Sequence, residues 1–361
     1  MTALRLIIVG LGARSKFWLR VIADQPGVTL LAMADPDRAA RDRAQSEWPG
    51  VPVFRSLAEA VQSVDADAVL LSTPPSGRHD DIETACGAGL AILAEKPLAN
   101  SVAEAARFVE LCEATDTPLM VGLNFRYLPV TIALRELFSG PLGRPSFARF
   151  SYERWRDGHL PHINKYPLTM GQPMLWEQSI HHFDLMRYVY DSEPVEIFAK
   201  TFNPPWSMYA DDANVSALIT FDNGVIVNYQ GTWAANWTQP QFTWRSECAN
   251  GIAFQRDQFG ALGYALRDDQ SVTDVPLPDY RQWIDDAALL LRRFVLALKG
   301  EIALECTGRD HLKSLQMVQA SIISSQRGEA IDPAGLELSS QKGGRPEVLV
   351  PPATQRTSKW Q

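Results

Sequence analysis

The chain has 361 residues, 46% of them hydrophobic, with 34 basic and 42 acidic side chains and a net charge of −8. That length exceeds one ordinary core and fits two domains, while an acidic balance with no dense Lys/Arg run excludes the electrostatic footprint of a nucleic-acid binder. No apolar run reaches the ~18 residues needed to span a bilayer, and the first strand begins almost at Met1, so the expectation is a cytoplasmic protein with neither signal peptide nor membrane anchor.

Short apolar runs at Leu4–Val9, Val28–Ala34, Val51–Phe54, Ala68–Ser72, Ala91–Ala94 and Leu119–Leu123 alternate with longer amphipathic ones. This is the pattern of a parallel sheet wrapped by helices, an α/β dinucleotide-binding (Rossmann) arrangement, and we assign it to residues 1–123. The first run enters Gly10-Leu11-Gly12-Ala13-Arg14-Ser15, and Asp35 lies 25 positions after Gly10. Gly10 permits a tight turn, Gly12 lets backbone approach a pyrophosphate, and Asp35 can accept from both ribose hydroxyls. Ser15 stands where a third glycine is usual and is small enough for helix-on-strand packing. Asp35 points to NAD, since its carboxylate repels a 2′-phosphate; Arg38 and Arg14 leave NADP open. Thr73-Pro74-Pro75, Glu95-Lys96-Pro97 and Asn124 fall at the carboxyl ends of predicted strands, where ligands of open parallel sheets bind.

After Asn124 the alternating stretches Pro145–Arg154, Val195–Phe202, Asn214–Phe221 and Val225–Trp233 predict a second, α+β unit with a mostly antiparallel sheet, the last two strands joined at Asp222-Asn223-Gly224. Helices are expected at Trp176–Tyr190, Gln282–Lys299 and Arg309–Gln326. We assign residues 124–335 to substrate binding and oligomerisation, and 336–361 to a polar tail that is mobile or laid as an arm on a neighbouring subunit. Cys86, Cys112, Cys248 and Cys306 form no CxxC pair, which argues against a zinc cage or a disulfide framework. His159 and His162 have zinc-like spacing but no third ligand nearby, so no metal is expected.

On the helix predicted from Trp176, Glu177, His181 and Asp184 share one face. Lys96 precedes Pro97, whose ring biases it towards an extended conformation. Removing hydride from a secondary alcohol requires a base for the hydroxyl proton and a cation to hold the oxygen, and His181 and Lys96 can supply them. The long loop 155–166 beside that helix is the expected source of substrate contacts, chiefly Trp155, Arg156, His159 and Tyr166. Arg149, Arg154 and Arg156 would favour an anionic sugar, though alternating arginines on a strand are more often a solvated face. Trp233, Trp237 and Trp244 could face a sugar ring, but tryptophans of an antiparallel sheet are more often core or interface.

Taken together, these motifs resemble the Gfo/Idh/MocA family (glucose-fructose oxidoreductase, inositol dehydrogenase, MocA) over nearly the whole chain. Gly10, Gly12 and Ser15 match its GxGxxG, Thr73, Pro74, Pro75 and His79 its Thr-Pro-Pro…His, and Glu95-Lys96-Pro97 its Glu-Lys-Pro. Asn124 and Arg126 look like its Asn-x-Arg, and Glu177, Ser179, His181 and Asp184 line up with its DxGxHxxD helix. Glu177 replaces the aspartate and Ser179 the glycine, which bears on substrate identity more than on reaction type. The resemblance implies an NAD(P)-dependent sugar, inositol or polyol dehydrogenase. His181 would be the proton acceptor, Lys96 would hold the reacting oxygen, and Glu177 would orient His181 or bind an adjacent hydroxyl. Asp184 would act on the helix or on the His181 tautomer. Cofactor contacts are implied for Gly10, Gly12, Ala13, Arg14, Asp35, Arg38, Ser72, Thr73, Pro74, His79, Glu95, Lys96, Asn124 and Arg126. Also implied is a homodimer or homotetramer formed through the open face of the second sheet. Two other readings stay open: an NAD-retaining glycosidase acting by oxidation and elimination, and a non-catalytic dinucleotide or sugar sensor.

Overall fold

The computed structural model describes residues 3–161 and 163–336; His162 and nearly all of the polar tail lie outside them. Strands β1 (Leu4–Val9), β2 (Val28–Ala34), β3 (Val53–Phe54), β4 (Ala68–Leu71), β5 (Ala91–Ala94) and β6 (Leu119–Val121) form a parallel sheet ordered β3-β2-β1-β4-β5-β6. Every residue of β4 and β5 is buried, as a sheet covered on both faces requires. Its helices are α1 (Ser15–Ala23), α2 (Arg38–Glu47), α3 (Leu57–Val61), α4 (His79–Gly87) and α5 (Val102–Ala114). Side chains of Asp37, Ser56 and Ser101 cap the N-termini of α2, α3 and α5.

The order of strands reverses between β1 and β4, and at that crevice Gly10 has φ +90°. A Cβ on Gly10 would stand 2.8 Å from the backbone of Ser72 and Thr73, whereas one on Gly12 would meet nothing within 4 Å. The first glycine is therefore demanded by the fold and the second leaves open space in front of the turn. At the third position the Ser15 hydroxyl donates to the Gly12 carbonyl at 2.7 Å, so serine there stabilises the turn.

Beyond a short 3-10 turn (Asn124–Tyr127) and α6 (Pro129–Ser139), a second sheet holds β7 (Pro145–Glu153), β8 (Pro194–Phe202), β9 (Asn214–Phe221), β10 (Ile226–Thr232), β11 (Gln241–Cys248), β12 (Gly251–Asp257), β13 (Gly260–Leu266) and β14 (Thr273–Asp274). The order is β14-β13-β12-β11-β7-β10-β9-β8, antiparallel except for β7 beside β10. It is twice as wide as the four stretches predicted. Inward positions of β11 carry Trp244 and Ser246, and a serine in the core blunts the alternation on which the reading relied. Helices α7 (Ile180–Tyr190) and α9 (Gly308–Arg327) pack behind the sheet, and α8 (Asp285–Leu298) packs against the 124–127 turn and α1. The opposite face is open and carries the exposed side chains Phe147, Phe198, Leu218 and Ile226. Among the described residues no helix is long and apolar enough to cross a membrane.

Replacing Gly10 by alanine forces a Cβ against backbone at a positive φ, and we expect Gly10→Ala to lose about 2 kcal/mol or more in urea unfolding. Gly12→Ala should stay within about 0.5 kcal/mol of the parent; equal losses at both positions would contradict this account of the turn.

Candidate active site

The carboxyl ends of β1, β2, β4 and β5 meet the beginning of the helix that follows the long loop. Asp35, at the end of β2, accepts from Leu11 N at 2.6 Å and from Asp37 N at 2.8 Å, which fixes its carboxylate beside the glycine turn. Arg43 donates to the Leu11 carbonyl at 3.0 Å and Arg41 to the Asp35 carbonyl at 2.8 Å, two supports the sequence reading did not single out. Arg38 lies exposed, 3.6 Å from Asp42. At the end of β4 the hydroxyls of Ser72 and Thr73 are buried without a hydrogen-bond partner among the described residues. Open space at Gly12, a fixed carboxylate at Asp35 and two orphaned hydroxyls across the crevice fit a dinucleotide in extended form.

Glu95, at the end of β5, is buried, and its Oε1 accepts from Arg14 Nε at 2.5 Å and from Trp18 Nε1 at 2.7 Å. Burial opposes its ionisation, yet Arg14 and Trp18 outweigh that, and its pKa lies below the usual carboxylate value. Arg14 also lies 5.7 Å from the Trp18 ring and 5.8 Å from that of Trp283. Glu95 is thus a positioning group that aims the strand end.

Sequence reasoning missed Arg78 altogether. Its side chain is wholly buried, and its guanidinium donates to the carbonyls of Thr73 and Glu95, to that of Pro97 at 2.7 Å and to that of Leu98 at 3.3 Å. Burial pushes its pKa down to about 10, so it remains a cation at neutral pH. One side chain therefore ties together the loops after β4 and β5, which flank Lys96. The residue after it, His79, was expected at the cofactor but lies exposed, with ring nitrogens 3.6 Å from Asp80 and 3.4 Å from Glu83.

Lys96 Nζ donates to the Glu177 carbonyl at 2.8 Å and lies 3.4 Å from Glu177 Oε2. The carbonyl is reachable because Leu175–Ser179 is a π turn, where a single α-helix from Trp176 was expected. An inserted residue takes a carbonyl out of the ordinary helical ladder and rotates what precedes it. Glu177 consequently faces Lys96 rather than His181, and its Oε1 is buried without a partner among the described residues. His181 is buried, stacked on Phe125 with ring centroids 4.1 Å apart, and its Nδ1 has no partner among the described residues. Burial first, and the Lys96 charge second, hold the pKa of His181 well below the ordinary histidine value. The Tyr166 side chain is exposed as a whole while its hydroxyl is withdrawn beside Glu177; that withdrawal from water and the carboxylate raise its pKa.

Asp184, one turn beyond His181, belongs to a different structure. It accepts from Arg126 Nε at 2.7 Å and Nη2 at 2.5 Å, and from Ser314 at 3.2 Å. Arg126 also reaches Asp310 at 2.6 Å, and Arg187 joins Asp310 and Glu193. The Arg126 guanidinium, expected at the cofactor, is instead committed to this buried network, which binds the 124–127 turn to α7 and α9. Asn124, expected there too, donates to Asp286 of α8.

Ser179 is explained on the other side of the same helix. The Tyr229 hydroxyl donates to Ser179 Oγ at 2.8 Å, so His182 Nδ1, 2.8 Å from that phenol, carries the hydrogen and Nε2 accepts from Gln178 at 3.0 Å. Burial lowers the pKa of His182 to about 3, in keeping with a neutral ring. In the long loop Arg156 and Trp155 are half-buried and His159 is exposed. Trp233 and Trp244 are core residues, while Trp237 is exposed.

A parallel sheet with its crevice at the β1–β4 reversal, and a lysine and a neutral histidine at its mouth, defines an NAD-binding oxidoreductase. Residues 4–123 match the signature of the oxidoreductase family with an NAD-binding Rossmann fold, and 132–249 that of the GFO/IDH/MocA C-terminal domain. The chain belongs to the Gfo/Idh/MocA family. It is 24% identical to D-apiose dehydrogenase of Paraburkholderia graminis, over 91% of this chain and 90% of that protein. It is 32% identical to inositol 2-dehydrogenase of Leifsonia xyli, over 56% and 58% of the two chains. An Agrobacterium radiobacter oxidoreductase, solved with NAD+, L-tartaric acid and magnesium, shares the fold with a TM-score of 0.84 at 19% identity, covering 92% and 99% of the chains.

If Arg78 is the clamp described, Arg78→Met should lose about 3 kcal/mol or more of stability, since buried carbonyls are left without donors, and Arg78→Lys should lie between. A loss below about 1 kcal/mol in urea unfolding would show that the strand-end loops hold themselves.

Proposed function

We propose that this enzyme transfers hydride between a secondary hydroxyl of a sugar, inositol or other polyol and NAD, with residues 4–123 binding the cofactor and 124–335 the substrate. The observation that carries the reading is Lys96 against the Glu177 carbonyl, beside a histidine held neutral, at the mouth of the dinucleotide crevice. The names of the relatives, D-apiose dehydrogenase and inositol 2-dehydrogenase, support the substrate class. Gly10, Gly12, Ala13, Arg14, Asp35, Ser72, Thr73 and Pro74 are the residues that would hold NAD, which when bound supplies the hydride acceptor.

Two of the three Lys96 donors point at Glu177, which fixes the ammonium and leaves a donor for the substrate oxygen. The cation favours loss of the hydroxyl proton, and His181 accepts it. The same charge depresses His181 and acidifies the hydroxyl, so a weak base meets a strengthened acid. Glu177 Oε1, buried and unpartnered, accepts from a neighbouring substrate hydroxyl. The open face of the second sheet, with Phe147, Phe198, Leu218 and Ile226 exposed, is the surface we assign to a homodimer or homotetramer; light scattering on Phe198→Glu should show smaller particles than the parent, and an unchanged mass would remove that assignment.

The deciding assay is reduced-nicotinamide formation with NAD and NADP in parallel over inositols, aldoses, sugar acids and glycosides. Multiple turnovers on a sugar or polyol are expected. Glycoside cleavage without net reduction, or no reaction at all, would displace the proposal. His181→Asn should lower kcat/KM by about 10²- to 10⁴-fold with NADH binding retained. Because His181 is depressed, its neutral form persists as pH falls below 6.5, and the acid limb of kcat/KM lies below that value. Lys96→Met should move the His181 titration upward in an imidazole NMR experiment; an unmoved titration contradicts the pairing of these two residues.

A further inference from the structure

Along β7 and β10 the side chains that face α7 alternate with those of the open face. Phe150 and Tyr152 of β7, and Tyr229 of β10, touch His182. Past the ends of these strands Trp155 bridges Ala234, and beside that bridge lie Trp233 and Arg156. There the Arg156 guanidinium lies 4.3 Å from the Trp233 ring centroid, and its backbone N–H donates to the Trp233 carbonyl at 3.0 Å. Tyr209 braces it: the phenol donates to the Arg156 carbonyl at 2.7 Å and receives Arg156 Nη1 at 3.4 Å.

Arg156 is thus ordered and half-buried, yet among the described residues that phenol is the only hydrogen-bond acceptor of its five donor hydrogens, and it forms no ion pair. The nearest acid in sequence, Asp157, accepts from the backbone of His159 at 2.9 Å. Beneath the guanidinium, the Trp233 Nε1–H is buried and meets no acceptor among the described residues. Two unanswered donor groups in one stack call for an acceptor-rich ligand. The stack stands beside the π turn: two residues before Trp233, a Cβ on Gly231 would meet Met174 Cε at 2.6 Å and the hydroxyl of Tyr229, which bonds Ser179.

We infer that the substrate is a sugar acid, and that Arg156 holds its carboxylate with the flat edge of the guanidinium while Lys96 and His181 act on a hydroxyl further along the molecule. A planar, singly charged group matches one stacked arginine and one indole N–H. Arg149, on the open face and exposed, and Arg154, also exposed, have no part in this. The inference rests on the dehydrogenase reading and adds to it the charge of the substrate.

The test compares D-gluconate with D-glucitol, and D-glucuronate with D-glucose, by kcat/KM at saturating NAD in the full chain, with D-glucose 6-phosphate as a further arm. The acids should be preferred, and Arg156→Met should reduce the gluconate-to-glucitol ratio by roughly 10- to 100-fold, with Arg156→Lys, which keeps charge without the fork, recovering part of it. A neutral partner used as well as its acid, or a ratio that Arg156→Met leaves alone, overturns the inference and leaves the dehydrogenase reading standing. Preference for the phosphate with the same loss in Arg156→Met overturns the carboxylate assignment. If nothing on the panel turns over, the dehydrogenase reading fails, and calorimetric titration of D-gluconate and D-glucitol decides the charge separately: gluconate binding lost in Arg156→Met supports it, and equal binding of both compounds overturns it.

Discussion

The contact between the Lys96 ammonium and the Glu177 carbonyl is the constraint on which the site depends, because it is where the edge of one sheet meets the helix in front of the other. A lysine is a flexible point charge and reaches one position only if its backbone is fixed and its donors are occupied. Arg78 does the first, holding the carbonyls on either side of the lysine from below. The π turn does the second by presenting a carbonyl that a regular helix would have kept for itself. Neither works alone. A fixed strand end without the turn would leave Lys96 to water, and the turn without Arg78 would face a wandering side chain.

One helix serves two ends that its sequence does not separate. Residues 177 and 181 face the crevice, while Asp184 joins a buried network of two arginines and a second aspartate. Taking such charges out of water offsets most of what their attraction returns, so the network is better understood as setting register than as adding stability. Asp184 would leave a buried charge unmatched if it turned towards His181. With Nδ1 of His181 unpartnered, the imidazole is oriented by stacking on Phe125 and by close packing rather than by a carboxylate.

Much of this was legible in the sequence. The six parallel runs, the glycine turn, Asp35, Lys96 and His181 are local patterns, each visible within a few residues, and the strands of the first sheet were placed to within two residues. What escaped depends on contacts distant in sequence. Arg78 looks like any arginine before a helix until the loop after β5, some twenty residues on, closes over it. The π turn has no periodic signature, because one inserted residue is invisible to a hydrophobic pattern. Asn124 and Arg126 were legible as a motif but not as to partner, since Asp286 and Asp310 lie more than 150 residues away. Ser179 was read as a departure from a motif; its reason, Tyr229, lies on a strand fifty residues further on.

Charge balance connects the ends of the site. Among the described residues, Arg14 is answered by Glu95 and Lys96 by Glu177, whereas Arg78 meets only carbonyls and Arg156 only a phenol and an aromatic face. Arg78 is sealed, and several carbonyl dipoles can carry one buried cation. Arg156 is only half-buried, and most of its donors are unanswered among the described residues. In the proposed reaction a ligand that neutralises Arg156 leaves the Lys96 charge intact, which proton transfer to His181 would require: a carboxylate that paired with Lys96 instead would raise the pKa of His181 and weaken the hold on the reacting oxygen. On that proposal two cations held in different places, Arg156 by the Trp233 stack and Lys96 by Glu177, would select the orientation of the substrate, admitting its anionic end only where it does no harm to the proton transfer.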